Sequence, residues 1–125
     1  ALYFYDHLLT AKEEVVADAF YKISVTEMRH LEIFGQLALL LGESPRLWSQ
    51  KNNGRFYWTP GYLSYFCNIK DILHHALSGE EAAIQKYQSQ LDIITDPYII
   101  DNLQRIIADE KSHVEIFKWL IYKFA

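Results

Sequence analysis

A chain of 125 residues is sized for one domain, residues 1–125, and can bury roughly two-thirds of its unfolded surface in a single core. Its net charge of -4, with basic residues scattered along the chain, leaves no electrostatic footprint for nucleic acid. No apolar run reaches the ~18 residues a membrane span needs, and the single cysteine, Cys67, excludes an internal disulfide or a Cys-x-x-Cys knuckle.

The lone thiol fits a reducing compartment, so a cytoplasmic setting is expected, with Cys67 an inert, at least half-buried side chain. The first residues do not read as a signal peptide.

Glycine and proline concentrate between residues 42 and 61, so the stretches on either side are predicted to be helical. A short first helix covers Ala1 to about Leu9. Thr10-Ala11-Lys12-Glu13 reads as a capping box opening a second helix, about Ala11 to Leu41, which Gly42 stops. Residues 42–61 then form a polar loop interleaved with Trp48, Phe56, Tyr57 and Trp58. A third helix is expected from about Ser64 to Thr95. Asp96-Pro97 supplies an N-cap and a first-turn proline for a fourth, reaching about Phe124.

No period-two alternation lasts long enough for a sheet, so the fold class is all-α. At ~3.3 Å per residue the long loop can run the length of a bundle, joining the second and third helices by a crossover. Its aromatics are expected to pack along the outside. Trp119, Tyr122 and Phe124 are expected to pack against this loop or a dimer partner.

Three apolar stripes are broken by the same chemistry. The second helix carries Phe20, Ile23, Glu27, His30, Phe34 and Leu37; the fourth carries Leu103, Ile106, Glu110, His113, Phe117 and Leu120. Positions i and i+3 share a helix face, so each Glu-x-x-His pair aims a carboxylate and an imidazole inward together. On the third helix Glu80 interrupts Leu73, Leu77, Ile84, Tyr87 and Leu91, while Glu81 falls one step off the stripe, toward solvent. His74 and His75 read as exposed or hydrogen-bonded. Charged groups are rarely buried unless paired or bound to metal. Two buried Glu–His hydrogen bonds are the plain alternative, but such pairs are costly and seldom duplicated in register.

Adding 83 maps Glu27 onto Glu110, His30 onto His113 and Phe34 onto Phe117, so the two halves read as one repeated unit. The same offset, or 84, carries Glu80 to a position four or five residues before Ala1. The repeat thus predicts a first-helix glutamate outside this sequence, which is expected if the first helix is truncated. A ligand from another subunit or a true half-helix also accounts for the gap. Asp6 and His7 lie about two turns too far along to fill it.

Together the runs Glu-Met-Arg-His-Leu-Glu-Ile-Phe-Gly (27–35), Gly-Glu-Glu-Ala-Ala-Ile-Gln-Lys-Tyr (79–87) and Ile-Ala-Asp-Glu-Lys-Ser-His (107–113) resemble the ferritin-like di-metal carboxylate proteins. Within that group the rubrerythrin and manganese-catalase-like branch is the most similar. The resemblance implies a four-helix bundle with one long crossover, holding two Fe or two Mn ions, Fe preferred. It implies Glu27 and Glu110 as bridges, His30 as terminal ligand of one metal, and His113 with Glu80 as terminal ligands of the other. The His30 metal then lacks a terminal carboxylate. Asp109 and, more weakly, Tyr87 are implied hydrogen-bond partners around the ligands, although Tyr87 reads first as core packing.

The activity implied is reaction with hydrogen peroxide or dioxygen, of peroxidase, catalase or ferroxidase type. A peroxidase would need an external electron donor, since only Cys67 is present and a rubredoxin unit is excluded. A homodimer or larger homo-oligomer is expected. The alternative is a metal-storage or structural bundle subunit without significant turnover.

Overall fold

Among the described residues four helices form: α1 (Leu2–Leu9), α2 (Glu14–Leu40), α3 (Ile69–Leu91) and α4 (Pro97–Phe124). This computed structural model describes the backbone except at residues 47, 52, 53, 58, 60–62 and 64, and side chains except at 47–58, 60–62 and 64. α1 packs on α2 and α3 on α4 as two helical hairpins, joined chiefly through α2 against α4.

The direction of the helices follows from who touches whom. Phe20 meets Leu73 and Phe117 in one buried cluster, and Phe34 stacks on Tyr87 at 5.5 Å one bundle layer further on. Numbers rise together along α2 and α3, so these helices run parallel and residues 41–68 must return the full length of the bundle. The expected crossover is therefore present. It contains an element the sequence reading does not anticipate. Strands β1 (Trp48–Lys51) and β2 (Gly54–Tyr57) pair antiparallel, with Trp48 opposite Tyr57 and Lys51 opposite Gly54. Four residues per strand are too few to show alternation against a background of aromatics. The expected packing of Trp48, Phe56, Tyr57 and Trp58 lies outside the described side chains.

Helix ends show which local signals act. Asp96 Oδ1 accepts from Tyr98 N at 2.8 Å and Ile99 N at 3.4 Å, with Pro97 in the first turn, as the sequence predicts. α3 starts later than expected because Asn68 caps it, accepting from Asp71 N at 2.9 Å. The capping box is a misreading. Thr10 is buried and its hydroxyl donates backward to Asp6 O at 2.7 Å, closing α1, so α2 begins at Glu14 with no side-chain cap.

Gly42 ends α2 with φ 77°, and Glu43 N donates to Ala38 O at 2.8 Å across it. Nothing lies within 4 Å of a Cβ placed there, so Gly42→Ala carries only backbone strain. Urea denaturation is expected to show a loss of about 1–2 kcal/mol.

The core cluster of Val16, Phe20, Ile23, Ile72, Leu73, Ala76, Phe117 and Leu120 fills the end of the bundle that α1 closes. Leu37, Leu103 and Ile106 are buried beyond the next polar layer. Between the two apolar zones lie the interrupting acids and imidazoles. One surface expectation needs correcting. Cys67 is exposed, because it sits in the connector just ahead of the Asn68 cap and not on an apolar stripe. Trp119 and Tyr122 are exposed at 52% and 87% in the single chain, with Phe124 edge-on against Trp119, which leaves the expected loop or dimer packing of these residues untested.

Candidate metal centre

Glu27 and His30 stand one turn apart on α2, Glu110 and His113 on α4, and Glu80 in mid-α3. Glu80, Glu110, His30 and His113 are all buried, and Glu27 is partly so. Ligand atoms of Glu27, Glu80, Glu110 and His113 all lie within 4.8 Å of one another. His30 adjoins this group, with Nδ1 at 2.9 Å from Glu110 Oε1 and 3.4 Å from Glu27 Oε2. His113 Nδ1 stands 3.3 Å from Glu27 Oε1 and 3.7 Å from Glu80 Oε1. The two oxygens of Glu27 thus face different imidazoles.

These separations are short, yet the atoms are misaligned for hydrogen bonding. Glu27 Oε1, His30 Nδ1, Glu80 Oε2, Glu110 Oε1 and His113 Nδ1 are buried without a hydrogen bond. Among the described residues no other buried side-chain nitrogen or oxygen is left so. An interior normally satisfies such groups, so five orphaned atoms converging from three helices need a partner that is not a protein side chain. A cation would fill that role: carboxylate oxygens and imidazole nitrogens are the donor set that iron and manganese take. The residues present therefore fit a metal pair.

The surrounding groups orient the donors. His30 Nε2 bonds Asp109 Oδ2 at 2.8 Å, which leaves Nδ1 facing inward. Tyr3, from α1, donates its hydroxyl to Glu80 Oε1 at 2.7 Å while its ring rests on Phe20 and Phe117. Sequence reasoning missed Tyr3, which stands in an undistinguished aromatic run. Its one signal is the repeat, since adding 84 to Tyr3 gives Tyr87. Tyr87 itself stacks on Phe34, and no hydrogen bond from its hydroxyl is seen among the described residues. Glu81 and His74 are exposed, and His75 packs on Phe66 at 4.8 Å. Asp6 and His7 do not reach the centre's donors: His7 Nδ1 bonds Ala17 O at 2.6 Å.

Charge in the metal-free site follows this geometry. Burial works to raise the Glu27 carboxyl, but His113 and His30 outweigh it and hold the group down to about 2. Burial works to lower His113, but Glu27 and Glu80 prevail and raise it to about 9. His30 is raised as well, against burial, by Glu27 and Asp109. Burial, then the Glu80 charge, push the Tyr3 hydroxyl far above its ordinary range, so it stays a donor. Burial also raises Tyr87, with Glu27 and Glu80 adding to it. Asp6 is raised to about 7 by burial alone.

A pH profile of the metal-free protein follows. His113 binds its proton more tightly folded than unfolded, so its contribution is complete below 6.5 and lost as pH rises through about 9. Asp6, raised from 3.8 to about 7, also favours the folded state at low pH, and loses that between these values. Glu27 acts oppositely, contributing above 4.5 and losing its effect as pH falls through about 2. Thermal melts in chelator are expected to peak at about pH 4 and to fall steadily toward pH 9. A flat profile above neutrality would contradict the assigned pairs.

No curated protein and no solved structure shows a significant match to this sequence. The Rubrerythrin family profile matches residues 2–121, nearly the whole chain and all the side chains just described. By that match, and by the helical bundle with its carboxylate and imidazole cluster, the chain belongs to the rubrerythrin family of ferritin-like di-metal carboxylate proteins.

Proposed function

We propose that the chain is a di-metal oxidoreductase reacting with hydrogen peroxide or dioxygen, as a peroxidase, catalase or ferroxidase, with iron preferred to manganese. The observation that carries this reading is the set of five orphaned donor atoms meeting in the dry middle of the bundle. Glu27 would serve as one bridge, since each of its oxygens faces a different imidazole. Glu110 would serve as the second, since it reaches His30 while belonging to the cluster with His113. His30 would hold one metal terminally, and His113 with Glu80 the other.

A redox-active pair supplies the electrons for reducing an oxygen species and the positive charge that polarises it. The chain's own residues set the conditions. Phe20, Leu73 and Phe117 on one side and Leu37, Leu103 and Ile106 on the other exclude water. The Tyr3 hydroxyl donates to Glu80 Oε1 and holds that carboxylate in place, leaving its second oxygen buried without a protein partner. If the cycle is that of a peroxidase, its electrons would come from a separate donor.

A second reading has its own support. His30 stands outside the four-donor cluster, so one ion has fewer protein ligands, which suits storage or structural binding without turnover. For self-association, the exposed Phe4, Tyr21, Val25 and Met28 border an apolar groove of about 440 Å³ between α1 and α2, which a second copy could cover. A cytoplasmic setting remains part of the proposal, supported by the single cysteine. Among the described residues no helix is long and apolar enough to cross a membrane.

Purification in air, metal analysis and peroxide addition separate these readings. About two equivalents of Fe or Mn with peroxide consumption support the oxidoreductase. Bound metal without consumption supports storage. Less than about half an equivalent after reconstitution contradicts both.

A further inference from the structure

α1 is built inside out. Its inner stripe is polar, with Tyr3 partly buried and Asp6 and Thr10 buried, while Phe4, Tyr5, Leu8 and Leu9 face outward at 42–52% exposure. Those four recur one turn apart, so they form one continuous stripe. The stripe continues onto α2. Ala1, Phe4 and Tyr5 line a groove of about 440 Å³ with Tyr21, Val25 and Met28, which are themselves exposed. The remaining lining residue among those described is Ser24, whose hydroxyl donates back to Tyr21 O at 2.6 Å, so no charged side chain enters the groove. A water-facing apolar stripe opposite a buried carboxylate is the reverse of what a lone bundle selects. At eight residues α1 is also too short to hold its own helix, and it rests chiefly on α2.

We propose that this α1–α2 face is the contact between two copies of the chain, and that the contact seats α1 and thereby holds Tyr3 on Glu80. The half-exposed residues of stripe and groove offer on the order of 600 Å² per chain. That is the upper end of what a monomer leaves in water, and near the roughly 800 Å² per partner of a stable interface. Phe4, Leu8 and the groove lie on one face, the self-complementary arrangement that a two-fold contact needs. Absence of charged side chains is likewise the mark of an interface core. A lipid surface fits less well, since α1 has no lysine or arginine to meet headgroups. The link to the metal centre is Tyr3, on the inner side of the same helix. Its hydroxyl donates to Glu80 Oε1 at 2.7 Å and to Ala76 O at 3.3 Å, so whatever steadies α1 steadies Glu80.

The contact deepens the self-association proposed above, and only its coupling to the ions rests on the metal-centre reading. The metal-free full chain is followed by sedimentation velocity and then titrated with Co(II). Wild type is expected to be a dimer at micromolar concentration. Leu8→Lys and Val25→Lys, both at exposed positions, are expected to be folded monomers by circular dichroism, with one Co(II) equivalent weakened up to about 10-fold. Tyr3→Phe is expected to stay dimeric and to weaken that equivalent itself, and adding Val25→Lys to it should weaken binding no further. A monomeric wild type, or one that binds phosphatidylcholine vesicles instead of itself, would overturn the proposal. So would a dimer that both lysine variants leave intact, or one that Trp119→Lys breaks in their place. Monomeric variants with wild-type Co(II) affinity would overturn the coupling alone. A dimer that binds no Co(II) would overturn the metal-centre reading, and the coupling with it, while leaving the contact standing.

Discussion

Glu110→Ala is expected to empty the site, taking metal content from about two equivalents to less than half of one by elemental analysis. Glu110 is 2% exposed, its Oε1 is 2.9 Å from His30 Nδ1, and it belongs to the cluster containing Glu27, Glu80 and His113. If Glu110 bridges the pair as proposed, its loss would remove a donor from each ion at once. Folding should survive, because His30 keeps Asp109 and Glu27 as partners. Glu115→Ala is the control on the same helix: that side chain is 76% exposed, pairs among the described residues with Lys118 alone, and should leave metal content unchanged. Full metal retention in Glu110→Ala would count heavily against a bridging role.

The largest stability effect is expected at Phe117. Its ring is fully buried, 5.4 Å from Phe20 and 5.7 Å from Tyr3. Truncation to alanine removes this ring from the tightest part of the core and costs about 3–5 kcal/mol. That is a large fraction of the roughly 5–15 kcal/mol by which such a domain is stable. Urea denaturation should show a lower midpoint with an unchanged slope. Because Tyr3 leans on Phe117 while donating to Glu80, the same change should also loosen the α1 side of the metal centre. Trp119→Ala, on the exposed face of α4, should cost less than about 1 kcal/mol. Comparable losses from the two variants would contradict the placement of the core.

How much of this was legible beforehand depends on what kind of signal each residue carries. Glu27, His30, Glu80, Glu110 and His113 announce themselves because each breaks an otherwise apolar stripe, and burial of acids demands a reason. The crossover is equally readable, since the helix stop at Gly42 and the glycine and proline that follow it up to residue 61 leave one long connection before the third helix. Tyr3 is invisible to that logic: an aromatic among Leu2, Phe4 and Tyr5 breaks no pattern, and only the fold brings it to Glu80. Thr10 misleads because the same hydroxyl can cap the helix after it or close the helix before it, and burial decides for the latter. The β1–β2 hairpin has four-residue strands, shorter than any periodicity test can resolve. Cys67 breaks the general preference of thiols for the interior because it lies in the connector, where no apolar stripe faces it.

The central proposal is that two cations sit between α2, α3 and α4, among the acids, imidazoles and orphaned atoms. Anomalous diffraction from crystals of the metal-reconstituted protein tests this most directly. Two peaks about 3.5–4 Å apart are predicted, within bonding distance of Glu27, His30, Glu80, Glu110 and His113. A map with no anomalous density among these five side chains, or with metal only at the protein surface, would contradict it.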